Sequence, residues 1–195
     1  RVCAYAELEA LFSLDMPEKT AVCILADKEE IGSVGISGMQ SHYFEHFMEG
    51  LCDAQGVKLS DCFANSFCLS ADVSNAFDPN WPETCDKRNN SQLNYGVAIC
   101  KYTGSRGKGG ASDASAEAMG HVRSTLDKAG VIWQIATLGK VDQGGGGTVA
   151  AYMANRNIVT VDAGVPVLSM HAPLELVSKL DCYETMLACK AIYLA

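Results

Sequence analysis

The chain has 195 residues, 48% of them hydrophobic, enough for one substantial core and with no sign of two independent domains. Its 23 acidic against 15 basic residues give a net charge of −8, and the basic residues are scattered, which argues against a nucleic-acid partner. Nine cysteines, an odd count at irregular spacings without CxxC, read as reduced and mostly buried thiols and predict a cytoplasmic protein.

Apolar residues recur at helical spacing over residues 2–14 until MPEK breaks the pattern before an expected strand, TAVCILA, over residues 20–26. A second helix is expected over residues 38–54, then a strand at FCLSADV and a loop rich in proline and asparagine over residues 74–94. GVAICKY reads as a strand and TGSRGKGG as a flexible turn. In SDASAEAMGHVRSTLDKAG the punctuation is that of a helix, with Ser112 or Asp113 as N-cap, Glu117 in the early turns and Gly130 at the end. There follow a strand at VIWQIATL, a loop at VDQGGGG, a short helix at TVAAYMANRN, a strand at IVTVDAGVPVLS and a closing helix over residues 172–194. Strands alternating with helices predict an α/β layered sheet. No apolar run approaches the roughly 20 residues of a membrane helix, so a membrane is not an expected partner.

In layered sheets, sites form where loops leave the strand ends. Four polar clusters fall at such places: residues 27–30, Asp72 with Asn75 and Asp78, residues 142–147, and residues 169–171. Glu29 and Glu30 sit side by side at the end of TAVCILA. Two such carboxylates either diverge into water or face a cation, with one oxygen left to act as a base. SHYFEH offers a different pattern: His42, Glu45 and His46 spell H-x-x-E-H, and two histidines four apart on a helix share a face and could hold one zinc. Packing residues crowd that segment, however, and favour surface or packing histidines. The run Gly144 to Gly147 lacks the lysine of a P-loop and reads as a close approach of backbone to a ligand. His121, alone in mid-helix, reads as unremarkable.

DKEEIGS, SADVSNAFDPN, GGGGTVAAYMANRN and VDAGVPVLSMHAPLE, in that order and at these separations, closely resemble the catalytic core of the aspartyl aminopeptidase family of two-zinc exopeptidases, in its bacterial branch. The resemblance runs from RVCAYAELEAL to the last helix. It implies a three-layer α/β/α fold with a central mixed sheet, and a zinc-dependent aminopeptidase that removes an N-terminal residue, Asp or Glu, from peptides. It implies Glu29 as general base, Glu30 as a ligand of one zinc, Asp72 as a ligand of the other and His171 as the imidazole that completes the set. In that chemistry two zincs roughly 3.5–4 Å apart bridge and activate a water whose proton the base removes and returns to the leaving amine. Gly145, Gly146 and Gly147 are expected to line the substrate cleft, and Lys101 to meet a substrate carboxylate. Where many members carry a histidine three residues after the aspartate ligand, this chain has Asn75.

The resemblance further implies a histidine ligand and a metal-bridging aspartate upstream of Arg1, an inserted domain that helps members pair, and assembly into a dodecamer. Residues 1–195 are then a fragment of the catalytic domain, expected to be catalytically dead or nearly so and to bind zinc weakly. Two rival readings stand beside this one: a catalytically silent α/β structural or binding subunit, and a metalloprotease built on His42, Glu45 and His46.

Overall fold

A computed structural model describes residues 1–106, 109–110 and 112–195; Gly107 and Lys108 of the turn expected at TGSRGKGG lie outside the described residues, as does Ala111. Helix α1 (Val2–Phe12) leads through an irregular segment to a short 3₁₀ turn, Glu29–Ile31. Then come α2 (Tyr43–Gln55), α3 (Leu59–Ala64), β1 (Phe67–Ala71), β2 (Ser74–Asn75) and β3 (Val97–Cys100). The chain continues through α4 (Ala116–Ala129), β4 (Trp133–Ile135), α5 (Ala150–Ala154), β5 (Val159–Gly164), β6 (Pro166–Leu168), β7 (Leu176–Val177) and α6 (Lys179–Tyr193).

The central sheet has the order β1-β5-β3-β4, in which β5 runs parallel to β1 and antiparallel to β3, while β4 runs parallel to β3. A smaller sheet, β2-β6-β7, continues from one end of it, with β2 parallel and β7 antiparallel to β6. Successive strand residues face opposite ways, so the central sheet has two apolar faces. Val97, Ile99, Val161, Ala163, Phe67 and Leu69 point to one, where α4 and α6 contribute Met119, Val122, Leu126 and Ala188. Cys68 and Ile158 belong to the other cluster, with Phe44, Met48, Phe63 and Met153 from α2, α3 and α5. The result is the mixed sheet between helical layers that the motifs implied.

Several boundaries differ from expectation for identifiable reasons. Residues 20–26 form no ladder among the described residues; Val22 and Ile24 pack instead against the cluster of Phe44, Met48 and Phe63, the Tyr193 hydroxyl donates to the Val22 carbonyl at 3.5 Å, and an isolated bridge follows at Asp27–Gly38. IVTVDAGVPVLS is not one strand: it crosses from the central sheet to the smaller one at Val165. The closing helix starts at Lys179 rather than 172, because Leu176 and Val177 pair with β6 and Ser178 then caps the helix, accepting from the N–H groups of Leu180 and Asp181. Ser115, not Ser112 or Asp113, caps α4, its hydroxyl accepting the Ala118 N–H at 3.1 Å, and Gly130 ends that helix at φ +69°. Among the described residues no helix is long and apolar enough to cross a membrane.

Candidate metal and substrate site

Glu29 and Glu30 do not end a strand. They form a 3₁₀ turn whose flanks are left-handed, Lys28 at φ +60° and Gly32 at φ +91°. Ser33, at φ +57° and 1% exposed, continues the reversal. A non-glycine residue holds such a conformation only where its surroundings determine it. Here the Gln40 amide and the Tyr152 hydroxyl both donate to the Gly32 carbonyl, at 2.6 and 3.3 Å, and pin the turn to α5.

Asp72 follows β1 directly, and its Oδ1 accepts the Val73 N–H at 2.7 Å. Its placement depends on β5, because a Cβ at Gly164 would lie 1.4 Å from the Asp72 carbonyl oxygen. His171 follows β6 on a second left-handed stretch, with Ser169 at φ +58° and His171 at φ +67°. Its backbone N–H donates to Glu175 at 2.7 Å, and its Nδ1 stands 3.7 Å from Glu30 Oε1.

These four residues converge on one cleft of about 560 Å³. Gly145, Gly146, Gly147 and Thr148 line the same cleft, as do Asn75, Tyr152 and Met170. Gly145 has to be glycine: it sits at φ +97°, and a Cβ there would meet the Gly104 carbonyl oxygen at 2.0 Å. The Gly104 N–H donates to Gly146 and the Arg106 N–H to Gly144, so the glycine run is laced to the segment after β3.

Gathering carboxylates in a half-buried cleft shifts their titration. The Glu29 carboxyl is raised above its ordinary value, first by burial, then by the charges of Asp72 and Glu30, with His171 opposing. Asp72 is raised as well, again chiefly by burial, with Val73 opposing and Glu30 adding. A cation between these groups would relieve both effects. The donor types, carboxylate and imidazole, fit zinc. Their number within this chain falls short of a closed set: among the described residues no three His, Cys, Asp or Glu side chains gather closely enough to hold a metal ion.

Two expected features lie elsewhere. Lys101 is not among the residues that line the cleft; its ammonium is paired with Asp113. The H-x-x-E-H pattern forms no metal group among the described residues, because Glu45 is held on one oxygen by Arg156 and on the other by His42, both at 2.7 Å. Asn75, in the place of the family's histidine, is structural as well as exposed to the cleft. It donates to Asn90 at 3.0 Å and accepts the Gly139 N–H at 3.1 Å. Tyr152, Gln40 and Thr148 were not singled out by sequence, and no local spacing marks them, since each acts through a residue distant in the chain.

The described geometry accords with relationships across the chain. A family model described as aminopeptidase I zinc metalloprotease (M18) matches residues 1–193. A probable M18 family aminopeptidase 1 of Clostridium acetobutylicum is 49% identical over 189 residues, covering 95% of this chain and 41% of that protein. A namesake from Borrelia garinii subsp. bavariensis is 46% identical over 200 residues, covering 99% of this chain and 44% of that protein. The crystal structure of an M18 aminopeptidase from Thermotoga maritima superposes with a TM-score of 0.95 at 43% identity, over 99% of this chain and 44% of that one. The chain thus spans less than half the length of these relatives. On the strength of a match that runs nearly end to end, it belongs to the M18 family of zinc metallo-aminopeptidases.

Proposed function

We propose that the complete protein is a zinc-dependent aminopeptidase that hydrolyses the N-terminal residue, Asp or Glu, from peptides, with Glu29 as general base. The observation that carries this reading is the convergence of Glu29, Glu30, Asp72 and His171 on one cleft faced by a wall of glycine backbone. Zinc, when bound, polarises the scissile carbonyl and eases loss of a proton from the attacking water. Glu29 takes that proton and delivers it to the leaving amine; the burial that raises its carboxyl favours both halves of the task. Glu30 and Asp72 would each hold one of two zinc ions, with His171 completing the set. Gly145, Gly146 and Gly147 would lie along the peptide backbone, where side chains would block the approach.

The 195 residues alone are expected to hold zinc weakly and turn over little or nothing, since too few ligand groups gather here. The remaining ligands would come from the part of the protein outside this chain. Ile36, Leu174 and Leu176 stand exposed on the segments that carry Glu29 and His171, which supports a homo-oligomer. A cytoplasmic setting agrees with nine free cysteines, five of them buried.

The test is Glu29→Gln in the complete protein, which keeps size and shape but cannot accept the proton. Zinc content should persist while kcat falls by about 10²–10⁴-fold, the usual contribution of a general base. Unchanged hydrolysis would remove Glu29 from its role. Zinc lost with His42→Ala but kept with Glu30→Ala would move the metal to α2.

A further inference from the structure

Asp162 is a carboxylate in the central sheet, flanked along β5 by the buried Val161 and Ala163. It is 6% exposed and stands in register with Ser70 on β1 and Cys100 on β3. A buried carboxylate is expensive unless its oxygens are satisfied. Its Oδ1 accepts the Thr148 hydroxyl at 2.8 Å, and the same hydroxyl receives the Ala150 N–H at 3.3 Å. The Ser70 and Thr103 hydroxyls also favour the ionised form of Asp162, although among the described residues neither reaches hydrogen-bond geometry with any partner.

The three hydroxyls come from three segments that build the cleft. Thr148 ends the glycine wall. Thr103 precedes Gly104, whose N–H is bonded to the Gly146 carbonyl. Ser70 lies two residues before Asp72 and therefore on the same face of the strand line. We propose that Asp162 is a positioning residue: by holding Thr148, it fixes the Gly145–Gly147 wall at a set distance from the strand that carries Asp72. Substrate backbone is then met by a wall already in place, and little ordering is left to binding. This assignment rests on the aminopeptidase reading for its consequence in catalysis, but not for its structural content.

Two readouts on the complete protein separate those parts. Thr148→Val keeps the shape and removes the donor; Thr148→Ser keeps the donor. Amide hydrogen exchange over residues 144–148, without substrate, should accelerate about tenfold in Thr148→Val and stay near wild type in Thr148→Ser, the ratio corresponding to one lost charge-assisted bond. Exchange in α4 and α6 should not change. Adding Asp162→Ala to Thr148→Val should accelerate the loop by less than the two single effects combined, as for partners in one contact. Toward an aminoacyl 4-nitroanilide, Thr148→Val should raise KM about tenfold with kcat within about threefold and zinc content unchanged, and Thr148→Ser should restore KM. Unaltered exchange in Thr148→Val, additive effects with Asp162→Ala, or a wild-type KM in an active Thr148→Val protein would each overturn the proposal. A wild-type protein that cleaves no substrate while the loop responds as described would sink the functional reading and leave the positioning role standing.

Discussion

Replacing Asp162 by Asn should change how the stability of the chain depends on pH, in a direction opposite to that of most carboxylates. The Asp162 carboxyl is pushed from its ordinary 3.8 up to about 6, chiefly by burial, with the Thr148 and Ser70 hydroxyls opposing and the charge of Asp72 adding. The folded state therefore binds this proton more tightly than the unfolded chain does. Stability from the group is present in full below about pH 4, falls as the pH climbs to about 6, and is level above that. At 1.36 kcal/mol per pH unit the whole change comes to about 3 kcal/mol, without a discount for screening, because the group is 6% exposed. Asparagine carries no proton across this range. Urea unfolding of both chains at pH 4, 5, 6 and 7 should thus show the Asn variant gaining on the wild type by about 2.4 kcal/mol between the extremes, because at pH 4 the unfolded carboxyl is already partly ionised. Glu7 and Glu29 titrate in both chains and largely cancel in the difference, which reports Asp162 together with its coupling to Asp72. A difference that stays flat from pH 4 to 7, or that grows in favour of aspartate, would refute the burial argument.

Gly164→Ala would bring a methyl group to 1.4 Å from the Asp72 carbonyl oxygen and 2.5 Å from its carbon, backbone atoms that cannot rotate away. The expected outcome is a loss at or beyond the upper end of about 1–3 kcal/mol for overpacking, read from thermal melts, together with weakened zinc binding in the complete protein. Leu126→Ala, at a side chain 1% exposed between α4 and the central sheet, should cost about 2–5 kcal/mol with an unchanged urea m-value. A cost below about 1 kcal/mol would mean that the core there is looser than described.

What the sequence revealed and what it hid follow from the range of the interactions involved. The convergence of Glu29, Glu30, Asp72 and His171 could be anticipated because each lies just beyond an apolar run or on a specific motif, and the layered sheet brings such ends together. The form of each segment was less legible. TAVCILA has the composition of a buried strand but finds no ladder partner among the described residues, and strand formation needs one. Ser112 and Ser115 are equally good caps by type; Ser115 is chosen because Lys101 takes the Ala114 N–H and Tyr102 bridges Asp113, which holds those residues extended. Lys101 and Asp113 lie 12 residues apart, and only the fold sets the carboxylate beside the ammonium. Asp162 reads in sequence as part of a hydrophobic strand, and only the fold brings Thr148 to it.

The crossing between the two sheets has a mechanical side. Two neighbouring strands leave the central sheet together, β1 passing through Asp72 and Val73 into β2, and β5 through Val165 into β6. Pairing persists across the gap, with the Ser74 N–H donating to Val165 and the Ala76 N–H to Val167. A single strand could swivel at such a place; two that are hydrogen-bonded on both sides of it form a strap that resists torsion. Asp72 sits on the strap and His171 lies three residues past its far end, so the spacing between those two side chains is governed by a stiff ribbon, while Glu29 and Glu30 approach from a separate turn held by Gln40 and Tyr152. Thermal motion that widens the cleft would thus be carried by the glutamate turn, and the side bearing Asp72 and His171 would act as the fixed jaw.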